Sequence, residues 1–122
     1  MSALVSSFVG RTDAEVLAWN AYVLKSPLAT GYHLVEWRRV IEEAFGHRTY
    51  YLAVKDHDGT VQGIAPLVLL ASRGFGRFLV SVPFVNYGGL IADSPEGRSR
   101  LEASAIEQAK ALNADHIELR HA

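Results

Sequence analysis

The sequence predicts an α+β fold: a mixed, mostly antiparallel sheet flanked by helices, in the order β-α-α-β-β-β-α-β. Three observations carry this. Two apolar, aromatic or β-branched runs, Tyr50 to Lys55 and Val61 to Leu70, flank the turn residues Asp56-His57-Asp58-Gly59, the signature of a β-hairpin. Two segments open with helix-start chemistry and continue at helical spacing. The 122 residues make one domain, long enough to bury roughly two-thirds of the unfolded chain's surface.

Leu4 to Val9 reads as a short strand ended by Gly10 and Arg11. Thr12 stands three residues before Glu15, the spacing of a capping box. Ala14, Leu17, Ala18, Ala21 and Leu24 then fall on one helical face, expected to be the buried one, and Pro27 stops the helix after Lys25. Ser26 to Tyr32 reads as a loop. A second helix is expected from His33 to Phe45, burying Leu34, Trp37, Val40, Ile41 and Ala44, with Gly46 just past its end. Arg38 with Glu42 and Arg39 with Glu43 are i,i+4 pairs expected on its wet face.

The hairpin follows. Pro66 lies inside its second strand and has no N–H for a ladder, so it marks an edge or a bulge. Ser72 to Arg77 is a turn region and Phe78 to Val82 a strand. Gly88 to Ala92 either continues that strand past a break or pairs separately. Pro95 suits the first position of a third helix, whose buried face is Leu101, Ala105, Ala109 and Leu112. His116 to Arg120 is a last strand. A strand with nothing after it is an exposed edge, so a continuing chain or a partner is expected to cover it.

Composition excludes several function classes. Twelve basic and thirteen acidic residues give a net charge of -1, without the basic surface that DNA binding needs. There is no cysteine, hence no disulfide, thiolate nucleophile or cysteine-ligated zinc, and the five histidines show no metal-ligand spacing. The first eleven residues do not resemble a secretory leader, and the apolar run Ile64 to Ala71 is far short of the ~20 residues of a membrane span. A cytoplasmic protein without a membrane span is expected.

Candidate chemistry concentrates in a few places. In Pro83-Phe84-Val85-Asn86-Tyr87-Gly88-Gly89, the glycines permit close backbone approach to a ligand and Asn86 and Tyr87 offer polar tips; a bulge or tight turn around a buried Tyr explains the same residues. Tyr32, His33 and Trp37 gather at the start of the second helix. His33 could act as a general base or simply cap and pack, and Trp37 could line a site or belong to the core. Glu118 and Arg120 share one face of the last strand, lining a cleft or forming the polar side of an edge.

Tyr32-His33-Leu34-Val35-Glu36-Trp37, Ala44-Phe45-Gly46-His47, Gly63-Ile64-Ala65-Pro66-Leu67, Ser81-Val82-Pro83-Phe84-Val85-Asn86-Tyr87-Gly88-Gly89 and Glu118-Leu119-Arg120 together resemble the FemAB family, most of all its exosortase/PEP-CTERM-associated members. The resemblance runs from about Trp19 to Arg120 and implies a GNAT-like fold. FemAB proteins carry two such domains in tandem, and residues 1–122 resemble the first. The family's better-known members transfer an amino acid from aminoacyl-tRNA to the peptide of a cell-wall precursor. The exosortase-associated branch is taken to act on an envelope or exopolysaccharide component.

The resemblance implies a domain contributing an acceptor cleft, lined by Tyr32, His33, Trp37, Asn86, Tyr87, Gly88 and Gly89, with no catalytic residue named. The acceptor would be a small molecule or a cell-envelope precursor, of peptidoglycan or exopolysaccharide. Acetyl-CoA-binding members of the GNAT fold hold the pyrophosphate on a Gln/Arg-x-x-Gly-x-Gly/Ala loop at a helix N-terminus. The corresponding Ala92-Asp93-Ser94-Pro95-Glu96-Gly97-Arg98 departs from it: Pro95 has no N–H, and Asp93 and Glu96 add negative charge. No cofactor is expected. The alternatives are a complete small acetyl-CoA-dependent N-acetyltransferase, homodimeric through the last strand, and a non-catalytic interaction domain.

Overall fold

The computed structural model describes residues 4–8, 12–26, 35–44, 46–72, 76–81 and 90–118. The elements are β1 (Val5–Phe8), α1 (Asp13–Lys25), α2 (Val35–Ala44), β2 (Arg48–Lys55), β3 (Val61–Ser72), β4 (Gly76–Ser81), β5 (Ile91–Ala92), α3 (Pro95–Ala111) and β6 (His116–Glu118). The sheet order is β1-β2-β3-β4-β6, with β5 also pairing with β3. Every pairing is antiparallel except β4 with β6. This is the expected α+β architecture, with the stretch before α3 pairing as a strand of its own.

Side chains alternate across the pleat, so each face of the sheet collects its own helices. Leu52, Val54, Ala65, Leu67, Leu69 and Leu79 pack with Leu101, Ala105 and Ala109 of α3. Tyr51, Ala53 and Ile64 point the other way, to Trp19, Tyr22 and Val23 of α1, while Val68 on that face meets Ile41 of α2. Three layers result: α1 and α2, the sheet, and α3.

The caps are as the residues suggested. The Thr12 side chain accepts from Glu15 N while Glu15 Oε1 accepts from Thr12 N, both at 3.2 Å. Ser94 caps α3 with Pro95 in its first turn. In the β2–β3 turn, Asp56 Oδ1 accepts from the Thr60 and Asp58 amides at 3.0 and 2.9 Å, and Oδ2 accepts from Gln62 at 3.0 Å. The Thr60 amide first, then those of Asp58 and Gln62, hold this exposed carboxyl below its usual range.

Two helices turn different faces to the sheet from those expected. In α1 the buried residues are Trp19, Tyr22 and Val23, whereas Leu17 and Leu24 are 73% and 78% exposed. The Ala/Leu stripe and the aromatic stripe both repeat at helical spacing. The larger apolar area of Trp and Tyr decides which one is buried. In α2 Ile41 is buried, but Val40 is 38% exposed and Ala44 is also exposed. Arg38, expected on the wet face with Glu42, lies inside at 5% exposure because Thr49 and Tyr51 of β2 receive it.

β3 organises the middle of the sheet. On one edge it pairs with β2 from Val61 to Leu69. On the other, Leu67–Ser72 pair with β4 and Gly63–Ile64 with β5. A Cβ on Gly63 would stand 2.9 Å from the Ile91 carbonyl oxygen, so β5 needs glycine there to lie against β3. Ala65 and Pro66 fall between the two partners. Pro66 thus sits in a central strand rather than an edge strand, at the point where β4 has stopped and β5 has not begun.

Candidate functional site

The sequence candidates number seven: Tyr32, His33, Trp37, Asn86, Tyr87, Gly88 and Gly89. Six of them, Tyr32, His33, Asn86, Tyr87, Gly88 and Gly89, lie outside the described residues; their flanks do not. The segment carrying Asn86 to Gly89 leaves β4 after Ser81, opposite Leu67, and returns at Leu90, directly before β5. The segment carrying Tyr32 and His33 leaves α1 at Ser26, whose N–H donates to the Tyr22 carbonyl at 3.0 Å, and enters α2 at Val35.

Polar contacts tie these flanks together. The Tyr22 hydroxyl, near the end of α1, donates to Asp93 Oδ1 at 2.7 Å, one residue past β5. Asn20 Nδ2 on α1 donates to Glu36 Oε1 at 2.9 Å, at the start of α2. Burial, and then the Asp93 carboxylate, hold the Tyr22 phenol well above its usual range, so it stays a neutral donor. Tyr22 and Asp93 are 71 residues apart, and nothing local in the sequence pairs them.

Trp37 is half-buried and packs with Leu70 against Ile41 and Val68, an apolar cluster between α2 and the sheet. Beside it lies a polar group that sequence reasoning missed. Arg38 Nε donates to Thr49 Oγ1 at 2.6 Å and lies 3.7 Å from Glu42 Oε2. The Thr49 hydroxyl donates to Glu42 Oε2. The Arg38 guanidinium lies 4.7 Å from the centroid of the Tyr51 ring, which also stacks on Trp19 at 4.9 Å. The i,i+4 spacing of Arg38 and Glu42 signalled the ion pair; Thr49, on another element, carried no such signal.

The Tyr51 hydroxyl is buried and has no hydrogen-bond partner among the described residues. Burial pushes its phenol up, against the pull of Arg38, so it too stays neutral. An unmatched buried hydroxyl costs about 1–3 kcal/mol, while the ring's stacking does not need it. Tyr51→Phe should therefore leave stability unchanged or raise it by up to about 1 kcal/mol in urea unfolding. A loss of more than that would mean the hydroxyl has a partner.

Fit to an acyl-CoA can be tested at the start of α3. Pro95 provides no N–H, and the Gly97 N–H is taken by Ser94 Oγ at 3.1 Å. Gly97 is buried, and a Cβ there would meet Ser94 Oγ at 3.4 Å, Val54 Cγ1 at 3.5 Å and Ala92 Cβ at 3.7 Å. These are ordinary van der Waals distances, so the position would accept a methyl group. Glu96 adds an acid in the first turn, with Asp93 just before the cap. An N-terminus with two amides lost and two acids gained does not fit a pyrophosphate.

Two polar grooves open elsewhere. One, of about 260 Å³, runs between β1 and α3 past Ser6, Ser104, Glu107 and Gln108. The other, of about 290 Å³, lies at Glu42, His47, Arg48, Thr49 and Tyr50. Among the described residues no group of three or more His, Cys, Asp or Glu could hold a metal ion, and no helix is long and apolar enough to cross a membrane.

The sequence matches no protein-family model and no curated protein. Solved structures do resemble it. A GNAT family acetyltransferase from Staphylococcus aureus superposes with a TM-score of 0.63 at 14% identity, covering 100% of this chain and 88% of the other. A Pyrococcus furiosus protein described as an acetyl transferase gives 0.58 at 14% identity, over 98% and 83%. A transcriptional regulator from Bacillus halodurans gives 0.62 at 10% identity, over 100% and 83%. At such identities the likeness is one of fold, and the chain has the fold of the GNAT acetyltransferases.

Proposed function

We propose that this chain is an acceptor-binding GNAT-fold domain of a FemAB-type N-acyltransferase, acting on an amine of a cell-envelope precursor. One observation carries the reading. Ser81, which opens the Ser-Val-Pro-Phe-Val-Asn-Tyr-Gly-Gly run, pairs with Leu67, and Ile91, two residues past its end, pairs with Ile64, so the two stand either side of the gap on β3 at Ala65 and Pro66. In this reading Asn86 and Tyr87 hydrogen-bond the acceptor and Gly88 and Gly89 let it approach the backbone. Tyr32 and His33 approach from the α1–α2 connection, whose flank Tyr22 fastens to Asp93.

The donor is assigned to a site outside this chain, a second GNAT-like domain as the FemAB resemblance implies, because the start of α3 is closed to pyrophosphate. This domain then binds and orients the acceptor amine, and no proton-transfer step is assigned to it. A complete acetyl-CoA-dependent enzyme would need the Ser94–Gly97 amides that the Ser94 cap and Pro95 remove.

Tyr87→Ala tests the reading. Saturation-transfer NMR with a nucleotide-linked muramyl pentapeptide, and separately with amino-sugar nucleotides, should show contact with the wild-type chain. The substitution should weaken that contact at least tenfold, about 1.4 kcal/mol, with the urea midpoint unmoved. A variant that unfolds instead would place Tyr87 in the core and remove it from the cleft.

A further inference from the structure

We propose that α1 carries a second interface, at which two copies of this chain pair their α1 helices antiparallel. Apolar residues occupy both sides of α1. Trp19, Tyr22 and Val23 face the sheet, while Ala14, Leu17, Ala18, Ala21 and Leu24 are all exposed, the two leucines at 73% and 78%. A second apolar stripe opposite the one packed on the sheet is a surface that a partner helix can cover.

The outer face specifies its occupant. Residues 14, 17, 21 and 24 alternate by three and four, an a-d-a-d seam of Ala, Leu, Ala and Leu. Antiparallel pairing of two such helices stacks a against d. Ala14 then meets Leu24 of the partner subunit and Leu17 meets Ala21 of the partner subunit, so every layer holds one small and one large side chain. Parallel pairing would stack Ala on Ala and Leu on Leu, leaving gaps beside crowded layers. The ends agree: Asp13 and Glu15 lie in the first turn and Lys25 in the last, so only the antiparallel arrangement brings unlike ends together. Beside the seam, a groove of about 210 Å³ between Ala18, Ala21 and Tyr22 on one side and Thr60 and Val61 on the other, with Lys25 at its margin, can receive the partner's protruding leucines.

Thirteen residues make a helix of about 20 Å, which would bury on the order of 400 Å² per copy, half the ~800 Å² per partner of a stable complex. The dimer is therefore weak and concentration-dependent. Sedimentation of the wild-type chain between about 10 µM and about 1 mM should show the weight-average mass climbing from monomer toward dimer. Leu17→Glu and Leu24→Glu, at exposed positions that leave the thermal melt in place, should raise the dissociation constant at least tenfold. Leu17→Ala and Ala21→Leu should each weaken association, and the double variant L17A/A21L should restore it, because it rebuilds the same layer with its members exchanged. A wild-type chain that stays monomeric throughout overturns the proposal, whatever else covers the face. So does a dimer indifferent to both glutamate substitutions.

Discussion

Trp19→Ala should lower the unfolding free energy by about 3–5 kcal/mol, the usual cost of emptying a buried Trp site. Trp19 is 1% exposed and stacks on Tyr51, which is itself fully buried. It packs in the cluster of Tyr22, Val23, Ala53, Ile64 and Ile91, which joins α1 to β2, β3 and β5 at once. Neighbours drawn from four elements cannot all move in to fill the hole. Against a typical total of about 5–15 kcal/mol the variant would stand close to unfolding. Trp37 remains in it as a fluorescent reporter, so urea unfolding followed by both fluorescence and circular dichroism can be compared directly. A loss below about 1.5 kcal/mol would mean that α1 is not seated on the sheet through Trp19.

Arg38→Ala should cost about 2–4 kcal/mol. The substitution removes the Nε bond to Thr49, the packing of the guanidinium on the Tyr51 ring and the cation opposite Glu42. Thr49 keeps Glu42 as an acceptor, and Glu42 is open enough to reach water, which holds the loss below that of a fully enclosed pair. Arg38→Lys keeps the charge but not the planar fork that reaches Thr49 while lying on the ring, so it should fall between wild type and alanine. If the alanine variant were as stable as wild type, Arg38 would be a surface residue, as its i,i+4 pairing with Glu42 first suggested.

The features legible in the sequence were those set by neighbouring residues. The capping box at Thr12 and Glu15, Pro95 at the start of α3 and the Asp56–Gly59 turn follow from local backbone chemistry, and all three stand where the sequence placed them. The apolar and aromatic runs on either side of the Asp56–Gly59 turn gave the hairpin, and with it the centre of the sheet. What failed depended on a competition or on a distant partner. In α1 two apolar stripes competed, and periodicity does not weigh a tryptophan against an alanine. Arg38 read as a wet-face charge because its partners, Thr49 and Tyr51, sit on another element. Tyr22 and Asp93 meet across 71 residues of chain, from α1 to the residue just past β5.

The candidate site was legible as a motif more than as a geometry. Asn86, Tyr87, Gly88 and Gly89 stood out for their residue types, and Pro66 as a ladder-breaker, but nothing in the sequence linked them. What the structure adds is the placement of the flanks: β4 ends at Ser81 opposite Leu67, and β5 begins at Ile91 opposite Ile64, with Ala65 and Pro66 between. The doubt about Ala92 to Arg98 rested on Pro95 and the acids alone. The Ser94 cap on the Gly97 N–H adds a structural reason that the residue types only hinted at.

Calorimetric titration of acetyl-CoA into the purified chain tests most directly whether this domain binds acceptor alone. No measurable heat of binding is expected, because α3 begins without the amides a pyrophosphate needs. Micromolar binding, roughly -8 kcal/mol, would contradict this and make the chain a complete small acyltransferase with its donor held in a different way.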